Sequence, residues 1–225
     1  GYVAVAENIR RELVAGGVPA ERVRTIPSGV DTALFKPTAP EPAVLEALDL
    51  PSGTPVVGKI ANFSEWKGQT VVLDALARLK SAGTEAVAVF VGRDTDSREL
   101  KALAERFGVF RQCRFLGFRD DVHRLIPCFT VSVNAALKGE GISGALRESL
   151  AMEVPAVASD AGGNSELIVP GATGRLFKAG SAEDLAKALS ETLRDLPAAK
   201  DLARAGAEVV RERFSDKTSV RQTMA

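Results

Sequence analysis

Short apolar runs alternate with amphipathic stretches along the sequence, and this alternation limits the folds that the chain can adopt. The runs have the length of buried strands and are rich in Val and Ala: VAVA from Val3, PVVGKIA from Pro55, AVAVFVG from Ala86, CRFLG from Cys113, VSVNAA from Val131, PAVAS from Pro155 and GRLF from Gly174. Between them, stretches such as KGQTVVLDALARLKSAG and SAEDLAKALSETLRD place apolar residues three and four apart, as helices do. The sequence therefore predicts an α/β fold, a Rossmann-like doubly wound parallel sheet with helices on both faces.

The distribution of proline indicates how the chain is divided. Five of the 11 prolines lie in its first fifth: Pro19, Pro27, Pro37, Pro40 and Pro42. We predict a looser leading segment at residues 1–54, a compact sheet domain at 55–196 and C-terminal helices at 197–225. After the helix that ends at Phe214, we expect a polar end, SDKTSVRQTMA, without a closing element.

Charge and cysteine content exclude several classes of protein. Lys and Arg number 29 and Asp and Glu number 29, so no net charge attracts nucleic acid. Cys113 and Cys128 lack CxxC or Cys/His spacing, which predicts buried free thiols in a reducing compartment. A reducing compartment fits a cytoplasmic location. No apolar run approaches the roughly 20 residues that span a bilayer.

Two of the predicted strands are followed by segments suited to binding an anion. After the strand at Pro55, Lys67 and Gly68 precede a helix, so an ammonium lies beside free backbone N–H groups. After the strand at Val131, glycines let the backbone approach a ligand, and Ser143 is placed to cap the next helix. A cation at a helix N-terminus is unfavourable without an anion, which favours a phosphate-binding role for Lys67.

Two carboxylates flank the second of these segments. Glu140 precedes the glycine-rich turn, and Glu148 lies on the first turns of the helix that follows it. Because the carboxyl ends of parallel strands meet at one edge of the sheet, we expect both segments to line one ligand crevice. Backbone N–H groups would hold a diphosphate there, and the carboxylates would accept hydrogen bonds from hydroxyl groups.

Five blocks in order along the chain carry a family resemblance: IPSGVDTALFKP from Ile26, NFSEWKGQ from Asn62, EGISGALRESLA from Glu140, PAVASDAGGNSELI from Pro155 and GATGRLF from Gly171. They resemble the nucleotide-sugar-binding, C-terminal half of retaining glycosyltransferases of the two-domain GT-B fold, the glycosyl transferases group 1 with a Glu-seven-residues-Glu motif. The resemblance covers nearly the whole chain.

The resemblance implies a role for each matching residue. Lys67 would bind the donor diphosphate and Glu140 the transferred sugar, and these two are the candidate catalytic residues. Glu148 would bind the ribose hydroxyls. The rest of the implied donor site comprises Asn62, Ile142, Ser143, Gly144, Phe118 and Arg119, with the backbone of Ile142 to Gly144 at the phosphates and the loop of Phe118 and Arg119 at the base.

It also implies an activity for the complete protein. The substrate would be a nucleoside-diphosphate sugar such as a UDP- or GDP-sugar, and the transfer, in polysaccharide or lipopolysaccharide biosynthesis, would need neither a metal nor another cofactor. The acceptor would be held by an N-terminal domain that precedes this chain, so the chain alone is expected to be inactive. Peripheral association with the inner face of the membrane stays open.

Two positions depart from the family pattern. Asn62 stands where most members have arginine, and losing that charge-assisted hydrogen bond would weaken donor binding about tenfold or more unless Lys59, Arg93 or Arg147 substitutes. Glu153 stands where members usually have glycine, so a left-handed backbone there would be strained.

Other readings of the same residues remain. A nucleotide-binding module without catalytic activity is one alternative, which Asn62 favours, and a nucleotide-sugar epimerase is another. A dehydrogenase on a related sheet is a further reading. The single histidine, His123, is expected to be a surface or capping residue. Trp66 would either shield the Lys67 loop or contact the preceding domain.

Overall fold

The structure is a computed structural model that describes residues 1–51 and 53–224. Its strands are β1 (Tyr2–Ala4), β2 (Val23–Thr25), β3 (Val56–Ile60), β4 (Val87–Val91), β5 (Cys113–Phe115), β6 (Val131–Asn134), β7 (Ala156–Ser159) and β8 (Arg175–Phe177). Six of them form one sheet in the order β5-β4-β3-β6-β7-β8, and all neighbouring pairs are parallel. β1 and β2 form a separate parallel pair. The predicted doubly wound parallel sheet is therefore confirmed.

Helices connect these strands. They are α1 (Glu7–Ala15), α2 (Pro42–Ala47), α3 (Gln69–Ser81), α4 (Arg98–Arg106), α5 (Val122–Leu125), α6 (Gly144–Ala151), α7 (Ala182–Arg194), α8 (Leu196–Arg213) and α9 (Asp216–Met224). In the described part of the chain, none is both long and apolar enough to cross a membrane.

The two faces of the sheet pack against different helices. Val57 belongs to an apolar cluster with residues of α3, α4 and α7. Its neighbour Val56 belongs to a cluster with residues of α2 and α5 on the opposite face, and α6 and α8 pack there against Ala156 and Ala158 of β7. This division follows from the strand period of two, which sends successive side chains to opposite faces.

The order of the strands sets the position of the site. From β3 the chain proceeds outward through β4 and β5, then returns to β6 on the other side of β3 and proceeds outward through β7 and β8. The direction of winding therefore changes between β3 and β6. In open α/β sheets, ligands bind outside the carboxyl ends of the strands at such a switch point.

The local structure follows the sequence expectations with some differences. The β1–β2 pair includes a strand, at Val23–Thr25, that the sequence did not predict. The helix α5 ends at Leu125, because Pro127 follows and the chain continues as a 3₁₀ turn. Both cysteines are buried and free, as predicted.

The expectation that the polar end adds no closing element is wrong. Asp216–Met224 forms α9, whose start is capped by Ser215 Oγ accepting the N–H of Thr218 at 3.3 Å. Ser215 also forms a bridge with Val30 of the leading segment. The C-terminal residues therefore connect back to the first part of the chain.

Candidate functional site

The loops after β3 and β6 bring an ammonium and a carboxylate together. Lys67 ends a 3₁₀ turn, Glu65–Lys67, and its Nζ lies 2.9 Å from Oε2 of Glu140. Only 20% of the Lys67 side chain and 12% of the Glu140 side chain are exposed. Nζ of Lys67 also lies 3.9 Å from the centre of the Trp66 ring, so Trp66 covers the lysine from one side. The two candidate catalytic residues thus form one pair at the switch point.

Backbone contacts hold these two loops together. Gly68 has a positive φ of 71°, and a Cβ built on it would lie 1.9 Å from the carbonyl oxygen of Ala135. The N–H of Leu137 donates to the carbonyl of Trp66 at 2.8 Å. Only glycine at position 68 allows this close approach, so the sequence Lys67-Gly68 places the ammonium beside the β6 loop.

Glu140 is positioned from several directions. Nδ2 of Asn134, the last residue of β6, lies 3.4 Å from Oε2 of Glu140. The Glu140 carbonyl accepts from the N–H of Gly163, at 3.1 Å, and from Nδ2 of Asn8, at 3.3 Å. Gly162 approaches this carbonyl so closely that a Cβ would lie 1.9 Å from it. The loops after β6 and β7 and the helix α1 together therefore fix the Glu140 backbone.

The start of α6 presents unpaired backbone donors. Ser143 caps the helix as predicted, its Oγ accepting the N–H of Leu146 at 3.4 Å. The N–H groups of Ile142, Ser143 and Gly144 have no acceptor among the described residues. The Ile142 side chain is buried in the apolar cluster of α6 and α8. This leaves a row of N–H groups, next to Glu140, at the positive end of a helix.

Glu148 and Arg147 approach the same helix start. A Cβ on Gly144 would lie 4.0 Å from Oε1 of Glu148 and 3.8 Å from Nη2 of Arg147. Burial raises the pKa of Glu148, and the Arg147 charge opposes that rise. Nε and Nη1 of Arg147 are buried without a partner in residues 1–51 and 53–224, and burial lowers the pKa of Arg147. Glu148 therefore lies one turn behind the row of N–H groups.

Lys59 lies in β3 close to the Lys67–Glu140 pair. Its side chain is fully buried, and its Nζ has no hydrogen-bond partner in the part of the chain that the structure describes. Burial and the nearby Lys67 charge lower the pKa of Lys59 to about 7, and the Glu140 charge acts in the opposite direction. The signal for this residue was a lysine within the buried run VVGKI.

The remaining predicted residues lie at the ends of β3, β4 and β5. Oδ1 of Asn62 accepts the N–H of Arg93 at 3.0 Å, so Asn62 links two of these loops. The Arg93 guanidinium lies 5.8 Å from the ring centre of Phe118, which is 65% exposed. Arg119 binds Asp121 through Nε, at 2.7 Å, and Nη2, at 2.6 Å. These residues form a second group, separate from the hydrogen bonds that join Lys67, Glu140 and Asn134.

Sequence reasoning missed three residues that build the site. Asn134 and Asn164 meet in the buried layer under the loops, where Nδ2 of Asn164 donates to Oδ1 of Asn134 at 3.3 Å. Asn8 reaches the site from α1, whose first N–H groups are bound by Glu166. An asparagine at the end of a buried strand, as in VSVN, was the one available signal. The Asn8 contact spans 132 residues and has no local signature.

Groups of three or more His, Cys, Asp or Glu side chains arranged to hold a metal do not occur among the described residues.

Cys113 is deeply buried, and burial raises the pKa of its thiol to about 12. Its sulfur donates to the carbonyl of Val109 at 3.2 Å. The thiol is therefore part of the core rather than a nucleophile.

The family model described as glycosyl transferases group 1 matches residues 42–209. Among curated proteins, the chain is similar to the lipopolysaccharide core biosynthesis mannosyltransferase LpcC of Rhizobium leguminosarum bv. viciae. The two are 32% identical over 195 residues, which are 84% of this chain and 55% of that protein. The chain spans about half the length of the curated relatives it matches.

Two solved structures are also similar to this chain. Anabaena Alr3699/HepE, in complex with UDP and glucose, is 26% identical and matches with a TM-score of 0.90 over 99% of this chain and 61% of that one. The C-terminal domain of a glycosyl transferase group 1 family protein, LpcC of Francisella tularensis, is 25% identical, with a TM-score of 0.71 over 83% of this chain and 99% of that domain.

Proposed function

Because the chain belongs to the family of glycosyl transferases group 1, we propose that it is the donor-binding half of a retaining glycosyltransferase. The full protein would transfer a sugar from a nucleoside-diphosphate sugar to an acceptor. The observation that carries this proposal is the pairing of Lys67 with Glu140, 2.9 Å apart at the switch point, beside the unpaired N–H groups at the start of α6. The donor would be a UDP- or GDP-sugar; similarity to HepE, solved with UDP and glucose, supports a nucleoside-diphosphate sugar in general.

Each side chain has a role in this proposal. Lys67 and the N–H groups of Ile142, Ser143 and Gly144 bind the diphosphate, since the ammonium and the N–H groups of a helix start both donate hydrogen bonds to anions. Glu140 accepts hydrogen bonds from the transferred sugar, and Glu148 accepts them from the ribose. Asn62, Phe118 and Arg119 line the base end of the donor, where the exposed Phe118 ring offers a stacking surface.

During sugar transfer, negative charge develops on the leaving diphosphate, and the roles of the side chains follow from this. The bond between the anomeric carbon and the diphosphate oxygen breaks, and its electron pair goes to the diphosphate. Lys67 and the helix start stabilise that charge, so we propose that transfer proceeds without a metal. The acceptor oxygen forms the new bond on the same face and gives its proton to the leaving oxygen. Glu140 orients the sugar and does not attack it.

The division of the chain belongs to the same proposal. Residues 55–196 would bind the donor, 1–54 would continue from a preceding acceptor-binding domain, and 197–225 would form the C-terminal helices. The match to a separately solved C-terminal domain supports a donor half that folds as a unit. The cytoplasmic location, the membrane association and the role in polysaccharide or lipopolysaccharide synthesis stay predictions.

Titration calorimetry of this chain with UDP, GDP, ADP and NAD tests the proposal. We expect saturable binding of one nucleoside diphosphate and no binding of NAD. Absence of binding by every diphosphate would contradict it. Conversion of a nucleotide sugar without any acceptor would instead indicate an epimerase.

Activity is tested on the full-length protein. Transfer to an acceptor, with retention of the anomeric configuration and in the presence of a chelator, is the expected result. Donor binding without transfer to any acceptor would instead favour the nucleotide-binding module, the alternative that Asn62 suggests.

A further inference from the structure

Lys59 is the one fully buried lysine of the described chain, and it lies where a charge is least expected. It occupies the fourth position of the five-residue strand β3, opposite Phe90 of β4. Its Nζ has no hydrogen-bond partner in residues 1–51 and 53–224. A buried ammonium without a partner is strongly unfavourable, so a lysine at this position needs a reason.

The surroundings of Lys59 are apolar except on one side. Because side chains alternate along a strand, Lys59 shares the face of Val57, which packs against α3 and α7. The residues of that face on β4, β6, α3 and α7 are hydrophobic, Phe90, Val133, Leu73 and Leu185 among them. Gln69, at the start of α3, is a buried polar neighbour of the site whose amide donates to the carbonyl of Asn62. The charged groups that act on Lys59 are Lys67 and Glu140.

Charge balance at the site explains why a buried amine would be useful. Lys67 and Glu140 form an ion pair, so each neutralises the other. A nucleotide-sugar diphosphate brings two further negative charges to the same place, and one ammonium cannot neutralise Glu140 and the diphosphate together. A neutral amine beneath the pair can add a positive charge by binding a proton from water.

We propose that Lys59 takes up a proton when a diphosphate donor binds at the switch point, and so supplies the positive charge that Lys67 cannot give to both anions. Lys59 is a positioning residue: it acts through Lys67 and Glu140 and does not touch the donor. The inference rests on the proposed function, because it needs the diphosphate to lie beside this pair.

A consequence is that donor affinity depends on pH. In the free chain the pKa of Lys59 is about 7, and an added anion raises it. Above pH 7, donor binding therefore requires Lys59 to take up a proton. The donor affinity falls by up to about tenfold per pH unit until the pH reaches the pKa of Lys59 in the complex.

Calorimetric titration with a nucleotide sugar, in buffers of different ionisation enthalpy at pH 8, measures this proton directly. A nucleotide sugar is the suitable probe because its diphosphate has no proton to release near neutral pH. We expect uptake of more than about half a proton per donor bound in the wild-type chain and none in Lys59→Met. Donor binding without proton uptake, or uptake that persists in Lys59→Met, would overturn the inference.

Two further variants separate charge from structure. Lys59→Arg keeps a permanent charge, so its donor affinity should be independent of pH between 7 and 9. The exposed Lys178→Met is the matched control and should retain the wild-type proton uptake. If the donor affinity of Lys59→Arg depended on pH as strongly as that of the wild type, the proposed proton uptake by Lys59 would be contradicted.

A second measurement needs no donor. The unfolded chain holds the lysine proton up to a pH of about 10.4, whereas the folded chain releases it near 7. Between these values the unfolded state binds more protons, so the free energy of unfolding of the wild type, relative to Lys59→Met, rises with pH. A constant difference would overturn the titration of Lys59. If the unfolding measurement shows the titration of Lys59 but no donor binds, the proposed function is wrong. The proton uptake linked to donor binding is then wrong as well.

Discussion

The ammonium of Lys67 lies 2.9 Å from the carboxylate of Glu140, although 73 positions separate the two residues in the sequence. The pair is mostly shielded from water by the interlocked loops after β3 and β6. A diphosphate bound here competes with Glu140 for Lys67, and the carboxylate then becomes free to bind the sugar.

Lys67→Met should weaken the binding of the nucleoside diphosphate about tenfold or more, since a charge-assisted hydrogen bond contributes roughly 1.5–3 kcal/mol. Binding of the corresponding nucleoside should be nearly unchanged, because the ammonium would contact only phosphate. Calorimetric titrations of both ligands test this, with Lys178→Met as the surface control. Equal losses for both ligands would remove the diphosphate assignment.

Glu148→Gln should weaken nucleotide binding without lowering the unfolding temperature at pH 7. Burial raises the pKa of Glu148, so the folded state binds more protons than the unfolded state at a pH above the usual glutamate pKa of about 4.3. The wild type therefore loses stability as the pH rises through the folded pKa, and glutamine avoids that loss. Below about pH 4 the stability difference should vanish. A marked drop in unfolding temperature would instead mark Glu148 as structural.

Gly162→Ala should destabilise the chain and reduce donor binding. The new Cβ would lie 1.9 Å from the Glu140 carbonyl, so the Glu140 loop must move. Gly171→Ala is the matched control: it has a similar φ, 75° against 60°, but nothing lies within 4 Å of its Cβ. We expect Gly162→Ala to lose about 1–3 kcal/mol more than the control in denaturant unfolding. Equal stability and equal donor affinity in the two variants would contradict the role of Gly162.

Glu153→Gly should stabilise the chain by about 1 kcal/mol, because Glu153 follows α6 with a left-handed φ of 58°. Its carboxylate lies 3.4 Å from Arg211, but this partly exposed pair contributes little. Glu153→Ala removes the same ion pair and keeps the Cβ, so it should give no gain. Chemical denaturation of the three proteins measures the difference. A stabilised alanine variant would place the effect in the ion pair instead.

Residues whose roles depend on their near neighbours in sequence were predictable. The apolar runs identified six strands of the main sheet, and Ser143 was recognised as a cap from its position before an apolar, helical stretch. The strained conformation of Glu153 followed from glycine being expected there. By contrast, Val23–Thr25 is short and has only one buried residue, so its apolar pattern is too weak to indicate a strand.

The sequence by itself determined the α/β alternation, the two helix starts and the residue types at the strand ends, because these depend on periodicity and on turns of a few residues. Only the tertiary structure decided that Lys67 meets Glu140, that Asn8 reaches the Glu140 carbonyl and that Lys59 is enclosed without a partner. The Asn8 contact depends on α1 lying beside the loop after β6, and the other two depend on β6 lying beside β3. That order is set by how the helices cover both faces of the whole sheet, and no local stretch of the sequence contains that information.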